Sequence, residues 1–114
     1  MKQFMDDITS ACKEATAPID LAGIKGIYLI CDESAQALYV GESTDIAKRI
    51  TRHADKFAGM KTRTFFIEIV EPVIRCAIEA AIIRYLKPKF NVKQIYNRSR
   101  QGLRKFNDYR GEQG

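Results

Sequence analysis

The sequence is poor in cysteine, and the three cysteines that it has are isolated. Cys12, Cys31 and Cys76 lie far apart, each among apolar neighbours. This spacing excludes a disulfide framework and offers no C-x-x-C motif for a metal or a redox reaction. Free cysteine usually behaves as a small buried hydrophobic residue, so we expect all three to be reduced and to lie in the core.

Long apolar runs are also missing. No stretch approaches the roughly 20 residues that a helix needs to cross a bilayer, and the start of the chain, MKQFMDDITS, lacks the apolar region of a signal peptide. We therefore expect a cytoplasmic protein without a membrane partner. With 46% apolar and 29% charged residues, the 114 residues are enough for one domain with its own core. Neither a repeat nor a linker divides the chain.

Acidic residues are absent from one long part of the chain. From Arg84 to Lys105 there are eight lysines and arginines and no acidic residue, whereas residues 1–22 hold two lysines against four acidic residues. A surface this positive attracts a polyanion such as a nucleic acid. The alternative is a solvated basic segment that has no partner.

Hydrophobic periodicity predicts a mixed α/β (α+β) fold, because helical spacing alternates with short β-branched and aromatic runs. The predicted elements are a helix over 3–16, a hairpin with strands 24–31 and 37–41, a helix from about 44 to 57, a strand over 63–70 and a helix over 73–86. The last helix carries a broad apolar stripe, formed by Ile74, Ala77, Ile78, Ala81, Ile82 and Tyr85. Leu103 and Phe106 suggest a further short helix over 100–110.

The hairpin carries two tyrosines. Because side chains alternate between the faces of a strand, pairing can bring Tyr28 and Tyr39 to one surface, with Gly26 and Gly41 leaving room beside them. A phenol buried beside cations can share its proton. Aromatic residues also favour strands for packing alone, so two tyrosines with a purely structural role are the alternative.

The helix after the hairpin carries Arg49 and His53, which are four residues apart and therefore share a face. A guanidinium can hold a phosphate through two parallel hydrogen bonds, and the only imidazole of the chain could move a proton near neutral pH. The alternative for His53 is an exposed histidine, or one whose hydrogen bonds are satisfied, without a chemical role.

Glu79 lies among apolar neighbours on the last predicted helix, where a carboxylate needs a partner. Arg75, one turn earlier, could form an ion pair with it. A divalent metal could serve equally well, since Mg²⁺ is often held by one carboxylate together with waters and substrate phosphate oxygens. The residues alone leave both alternatives open.

Together these residues resemble the GIY-YIG nuclease family. The family pattern is matched in order by Gly26-Ile27-Tyr28, Tyr39-Val40-Gly41, Arg49, His53, Glu79 and Asn91. The resemblance runs from about Lys25 to Val92, more than half of the chain, and departs from the name motif only in Val40, which replaces the second isoleucine.

This resemblance implies a three-stranded antiparallel sheet flanked by helices, and an endonuclease that hydrolyses a DNA phosphodiester with one divalent metal, Mg²⁺ or Mn²⁺. Tyr28 and Tyr39 would line the site, with Tyr28 as the base for the attacking water. His53 would transfer a proton beside the phosphate or activate Tyr28, and Arg49 would hold the scissile phosphate.

The resemblance also implies roles for two residues further along the chain. Glu79 would be the only protein ligand of the metal, and Asn91 would fix the site by hydrogen bonds.

Two segments lie outside the resemblance. We expect residues 1–22 to form a helical cover, 23–92 the nuclease core and 93–114 a basic extension of the same domain. The residues expected to contact the substrate are Gly41, Lys48, Arg52, Arg84, Lys87, Lys89, Lys93, Arg98, Arg100, Arg104 and Lys105. Cutting both strands needs two sites, so a homodimer is one arrangement that the sequence allows. The alternatives to a DNA endonuclease are a catalytically inactive DNA-binding module of the same fold and a nuclease for branched DNA or RNA.

Overall fold

The structure, a computed structural model, describes residues 2–91. Its helices are α1 (Lys2–Ala11), α2 (Ile46–His53) and α3 (Pro72–Leu86), with a 3₁₀ helix over Pro18–Leu21, and its strands are β1 (Lys13–Ala15), β2 (Gly26–Asp32), β3 (Ala37–Ser43) and β4 (Thr62–Glu68). The helix suggested over 100–110 and the basic extension lie outside the described residues. The division into cover, core and extension stays a prediction. Within residues 2–91 no helix is long and apolar enough to cross a membrane.

The four strands form one antiparallel sheet in the order β1-β4-β2-β3. The mixed fold class is confirmed, but the expected count of three strands is one too low. Residues 13–15 were predicted as the end of the first helix, which instead ends at Ala11 and is followed by a strand paired with β4. Cys12 and Ala15 continue the helical spacing of Phe4 and Ile8, so periodicity could not separate the helix from this short edge strand.

The sheet has a hydrophobic cluster on each face. The cluster beside α2 and the 3₁₀ helix contains Leu21, Tyr28, Ile30, Leu38, Tyr39, Ile46, Phe57 and Phe66. The cluster beside α1 and α3 contains Met5, Ile27, Val40, Ile82 and Ile83. Alternation along β2 therefore sends Tyr28 to the α2 side and Ile27 to the α3 side.

The apolar stripe predicted for α3 is oriented wrongly. Ile74 and Tyr85, expected in the core, are 52% and 46% exposed. The buried residues of the helix are Arg75, Glu79, Ile82 and Ile83. Apolar residues surround nearly the whole helix, so their period could not say which side faces the sheet; the two charged residues on the buried side decide it.

The helix ends follow local chemistry. Asp45 caps α2 by accepting a hydrogen bond from the Lys48 backbone N–H at 3.2 Å, as expected for one of residues 43–45. Glu71 caps α3 in the same way, and Pro72 occupies its first turn, where no N–H is needed. The helix predicted to reach residue 57 ends at His53.

The prediction that all three cysteines lie in the core is wrong for two of them. Cys31 is buried, Cys12 is half-buried and Cys76 is exposed. Cys76 follows Arg75 on α3, and the side of the helix that packs on the sheet is the one that carries Arg75 and Glu79. The structure places none of the three in a disulfide.

The chain after α3 runs along the open edge of β3. Lys89 donates its backbone N–H to the Ala37 carbonyl at 3.3 Å, and Phe90 donates to the Leu38 carbonyl at 2.8 Å. These bonds satisfy backbone groups that an edge strand would otherwise leave open. They also bring Asn91 beside the strand that carries Tyr39.

Candidate active site

Two tyrosines and a histidine form the centre of the candidate site. The Tyr28 hydroxyl lies 2.9 Å from His53 Nε2, within hydrogen-bonding distance. The Tyr28 and Tyr39 rings stack with centroids 5.9 Å apart, and the Tyr39 and His53 centroids are 4.6 Å apart. The prediction that both phenols share one face is therefore confirmed, and the histidine predicted on the next helix lies against them.

Gly41 makes this arrangement possible. It lies directly opposite Tyr28 in the β2-β3 register. A Cβ atom at position 41 would overlap the end of the Tyr28 ring, with Cε1 only 2.8 Å away. The space beside Gly41 is thus filled by the phenol, and a contact of Gly41 with substrate stays a prediction.

Gly26 is required by the backbone. A Cβ atom there would overlap the Ile67 carbonyl oxygen of β4. The two glycines of the name motifs therefore serve the packing of the sheet and of Tyr28.

The Tyr28 phenol is neutral in this environment. Its side chain is fully buried, and burial raises its pKa well above the usual value of about 10. The neighbouring Tyr39 and Glu79 raise this pKa further, while Arg49 opposes them. Tyr28 can therefore take a proton only if it gives up its own at the same time.

His53 is suited to receive that proton. Partial burial and the nearby cations Lys56 and Arg49 lower the pKa of His53 below its usual value of about 6.5. The imidazole is consequently neutral at pH 7. In the tautomer with the proton on Nδ1, Nε2 accepts the hydrogen bond of the Tyr28 hydroxyl.

One cation of α2, Arg49, lies near the phenols, and two others line a groove beside it. Arg49 is half-buried and close enough to Tyr28 and His53 to affect the pKa of both. Lys48 and Arg52 are exposed. An open polar groove of about 370 Å³ is lined by Ser43, Thr44, Asp45, Lys48, Arg49 and Arg52. The two predicted substrate cations of α2 thus lie beside the predicted phosphate ligand.

Glu79 brings a buried carboxylate to the site from α3. The Arg75 guanidinium, one of its two alternative partners, is directed elsewhere: Nε donates to Glu42 at 2.7 Å, and Nη1 donates to the carbonyls of Ile69 and Val70. The metal at Glu79 stays a prediction.

The donor set fits a hard divalent cation held mainly by non-protein ligands. Glu79 supplies one buried carboxylate, close enough to Tyr28 to affect the pKa of that phenol, and carboxylate oxygens are the ligands that hard cations prefer. In residues 2–91 no group of three or more His, Cys, Asp or Glu side chains could hold a metal. One carboxylate with waters and phosphate oxygens is a usual set for Mg²⁺, whereas zinc sites normally need three or four protein ligands.

Asn91 anchors the chain after α3 to the edge strand. Its Oδ1 accepts a hydrogen bond from the Val40 N–H at 2.7 Å, and its Nδ2 donates to the Val40 carbonyl at 2.9 Å. The side chain is buried and both of its polar atoms are bonded. Asn91 therefore supports the strand between Tyr39 and Gly41, while its role in a reaction stays a prediction.

The remaining basic candidates fall into two groups. Arg84, Lys87 and Lys89 are exposed at the end of α3 and just beyond it. Five others, Lys93, Arg98, Arg100, Arg104 and Lys105, lie outside the described residues.

Sequence reasoning missed two residues near the site. The Lys56 ammonium lies 5.1 Å from the centroid of the Tyr39 ring, and Lys56 affects the pKa of His53; its position three residues after His53 was a usable signal. Glu42, the partner of Arg75, follows Gly41 directly, but nothing in the sequence links residues 33 positions apart.

Comparison with known proteins identifies the family of the chain. Residues 24–97 match the family described as the GIY-YIG catalytic domain. That match covers more than half of the chain, so the chain belongs to the GIY-YIG family, and the family predicted from the sequence is confirmed.

Several curated relatives share the same region. The chain is 30% identical over 97 residues to the UvrABC system protein C of Legionella pneumophila, covering 77% of this chain and 16% of that protein. It is 32% identical over 82 residues to the protein of the same name from Rickettsia typhi, covering 65% and 13%, and 37% identical over 75 residues to that from Mycoplasma pneumoniae, covering 59% and 13%. The chain spans about a sixth or less of the length of these relatives.

Proposed function

We propose that this chain is a metal-dependent endonuclease that hydrolyses a phosphodiester bond of DNA. The observation that carries the proposal is the hydrogen bond of 2.9 Å between the buried Tyr28 hydroxyl and His53, inside a site that also holds Arg49 and Glu79. A proton can pass between two neutral groups that share a hydrogen bond. A tyrosine packed only against apolar side chains has no such acceptor.

The proton path follows from the two pKa directions. Tyr28 takes a proton from the attacking water as its own hydroxyl proton passes to His53 Nε2. The resulting hydroxide forms a bond to phosphorus, the P–O bond to the leaving oxygen breaks, and that oxygen takes a proton from solvent. No free phenolate is needed, which matters because burial opposes its formation.

Arg49 is proposed to hold the scissile phosphate. Negative charge grows on the phosphoryl oxygens during attack, and a preorganised guanidinium stabilises it. Its position beside both Tyr28 and His53 supports this role. A Mg²⁺ or Mn²⁺ ion at Glu79 would supply further stabilisation of that charge as a Lewis acid.

The proposal makes a prediction about pH. Cleavage needs neutral His53, so log(kcat/KM) should rise through an apparent pKa below 6.5 and then stay level to at least pH 9, with no step from the Tyr28 phenol. Replacing Lys56 by glutamine removes one of the cations that lower the pKa of His53, so the acid limb should move to higher pH. Lys61→Gln removes an exposed lysine bound to Glu33 and should leave the limb in place. A rate that keeps rising toward pH 10 would contradict the proton path.

The groove on α2 is proposed to bind DNA phosphates next to the one that is cut. The double variant Lys48→Ala/Arg52→Ala should raise KM for duplex DNA with little change in kcat. The slope of log binding constant against log salt should fall by about 2, because two phosphate contacts are lost. Filter binding between low and moderate salt measures it, with Lys61→Ala as the control. If the salt dependence of binding is unchanged in the double variant, the groove does not contact DNA phosphates.

Two properties of the proposed endonuclease can be measured: how many strands it cuts and which nucleic acid it prefers. A single site nicks one strand, and a double-strand cut needs a homodimer or two successive events. Light scattering of the protein with and without DNA distinguishes these cases. Competition among duplex, single-stranded, junction and RNA substrates shows which polyanion the site prefers. We further propose that the protein acts in the cytoplasm.

A further inference from the structure

A partly buried ion pair joins α3 to the edge strand of the sheet. Arg75 Nε donates to Glu42 Oε2 at 2.7 Å, and the two side chains are only 5% and 24% exposed. The same guanidinium donates to the carbonyls of Ile69 and Val70 at 3.2 and 3.1 Å, in the loop that leads into α3. Arg75 therefore fixes the start of the helix to β3 and to its own entry loop.

This pair lies between the two parts of the candidate site. Glu42 follows Gly41, the residue that accommodates Tyr28, and pairs with Ile27 on the α3 side of the sheet. Arg75 comes one helical turn before Glu79, and both are on the buried side of α3. The pair thus connects the strand that carries the motif to the helix that carries the carboxylate.

A second attachment lies on the other side of Glu79. Asn91 bonds the chain after α3 to Val40 of β3 through two hydrogen bonds. In the chain, Glu79 lies between Arg75 and Asn91, and both attachments end on the same strand, at Glu42 and Val40. Together they connect α3 and the chain that follows it to β3 at two points.

We propose that Arg75 and Glu42 are a positioning pair that fixes the carboxylate of Glu79 for the divalent metal. The inference rests on the proposed function, because it assumes that Glu79 holds the metal. Where a metal has a single protein ligand, the metal affinity depends strongly on the position of that ligand, because no other protein group holds the ion in place. Residues that orient a ligand without touching the metal typically affect metal affinity by 10- to 100-fold.

Stability alone is a weak reason for such a pair. Desolvation of two charges offsets much of their attraction, and a well-packed apolar pair is often at least as stable. The chain also offers a comparison: Arg63 binds Glu14 through two hydrogen bonds of 2.9 and 2.8 Å between β4 and β1, with side chains 52% and 33% exposed. This second pair joins two elements of the same sheet away from Glu79.

The test compares Glu42→Ala with Glu14→Ala. Binding of Mn²⁺ is measured by electron paramagnetic resonance in the full chain, together with thermal unfolding and the Mn²⁺ dependence of plasmid nicking. We expect Glu42→Ala to raise the Mn²⁺ dissociation constant about 10-fold or more, with nicking partly restored at saturating Mn²⁺ and KM for DNA unchanged. Glu14→Ala should leave the Mn²⁺ dissociation constant unchanged even where it lowers the melting temperature.

Arg75→Lys is the second variant, because it keeps the charge but cannot reach all three acceptors at once. It should raise the Mn²⁺ dissociation constant as Glu42→Ala does. An unchanged constant in both folded variants would overturn the inference, as would an equal rise in Glu14→Ala. Failure of both variants to fold would also overturn it, since the pair would then serve folding itself.

A comparison of Mn²⁺ binding by wild-type protein and by Glu79→Gln distinguishes failure of this inference from failure of the proposed function. If wild-type protein binds Mn²⁺ and Glu79→Gln does not, the metal site stands, and only the positioning role is decided by the other variants. If the two bind Mn²⁺ equally, the metal assignment of the proposed function fails first.

Discussion

Glu79→Gln is expected to lower the single-turnover rate of plasmid nicking on the order of 10³-fold or more. Losses of this size are typical when an enzyme loses a group that stabilises the charge of the transition state. Glutamine keeps the shape of the side chain but not the charge that holds a divalent cation. Because Glu79 is buried on α3, DNA binding in chelator should stay within about twofold of wild type. Quenched nicking assays and filter binding give the two values.

Glu68→Gln is the control for this experiment. It makes the same chemical change on an exposed residue of β4 and should leave both nicking and binding unchanged. Cleavage by Glu79→Gln at the wild-type rate would contradict the site assignment, whatever the affinity for DNA.

Gly41→Ala is expected to remove activity by displacing Tyr28. The new methyl group would overlap the end of the phenol ring, and overpacking in a buried site costs about 1–3 kcal/mol of unfolding free energy. The Tyr28 hydroxyl would also leave its position 2.9 Å from His53, so nicking should fall about 100-fold or more, in the range of a lost general-base contribution. Chemical denaturation and single-turnover nicking measure the two effects.

A double-mutant cycle with Tyr28→Leu identifies the cause. If the clash with the phenol is responsible, Gly41→Ala should cost far less stability in the Tyr28→Leu background than in wild type, because the two residues are in contact. Equal costs in both backgrounds would mean that Gly41 serves the strand itself and not the tyrosine.

Much of the site could be predicted because local periodicity determines it. Alternation along two short strands brought Tyr28 and Tyr39 to one face, and the spacing of four residues brought His53 and Arg49 to one side of α2. The hairpin, the cap at Asp45 and the helix begun by Pro72 follow from equally local chemistry. The family resemblance then followed from the order of these motif residues along the chain.

The predictions that were wrong concern features that depend on contacts between residues distant in the sequence. Lys13–Ala15 is a strand only because β4 offers it a partner, and three residues carry no pattern of their own. The orientation of α3 depends on Arg75, whose acceptors come from β3 and from the entry loop. A helix that is apolar on nearly every side cannot be oriented without that contact, which is why Ile74 and Tyr85 were placed in the core.

The proton transfer from Tyr28 also depends on a residue that is distant in the sequence. A phenol beside cations was expected to share its proton, yet burial raises its pKa and Arg49 only partly opposes this. The acceptor that resolves this difficulty is His53, which lies 25 residues away and reaches Tyr28 only in the folded protein.

Nicking of supercoiled plasmid in Mg²⁺, compared with chelator, tests the central claim most directly. We expect relaxed or linear DNA with wild-type protein in Mg²⁺ or Mn²⁺, none in chelator, and nicking slower on the order of 10³-fold or more with Glu79→Gln. Salt-dependent binding of DNA that stays uncut with either metal would contradict it and would make the chain a DNA-binding module of the same fold.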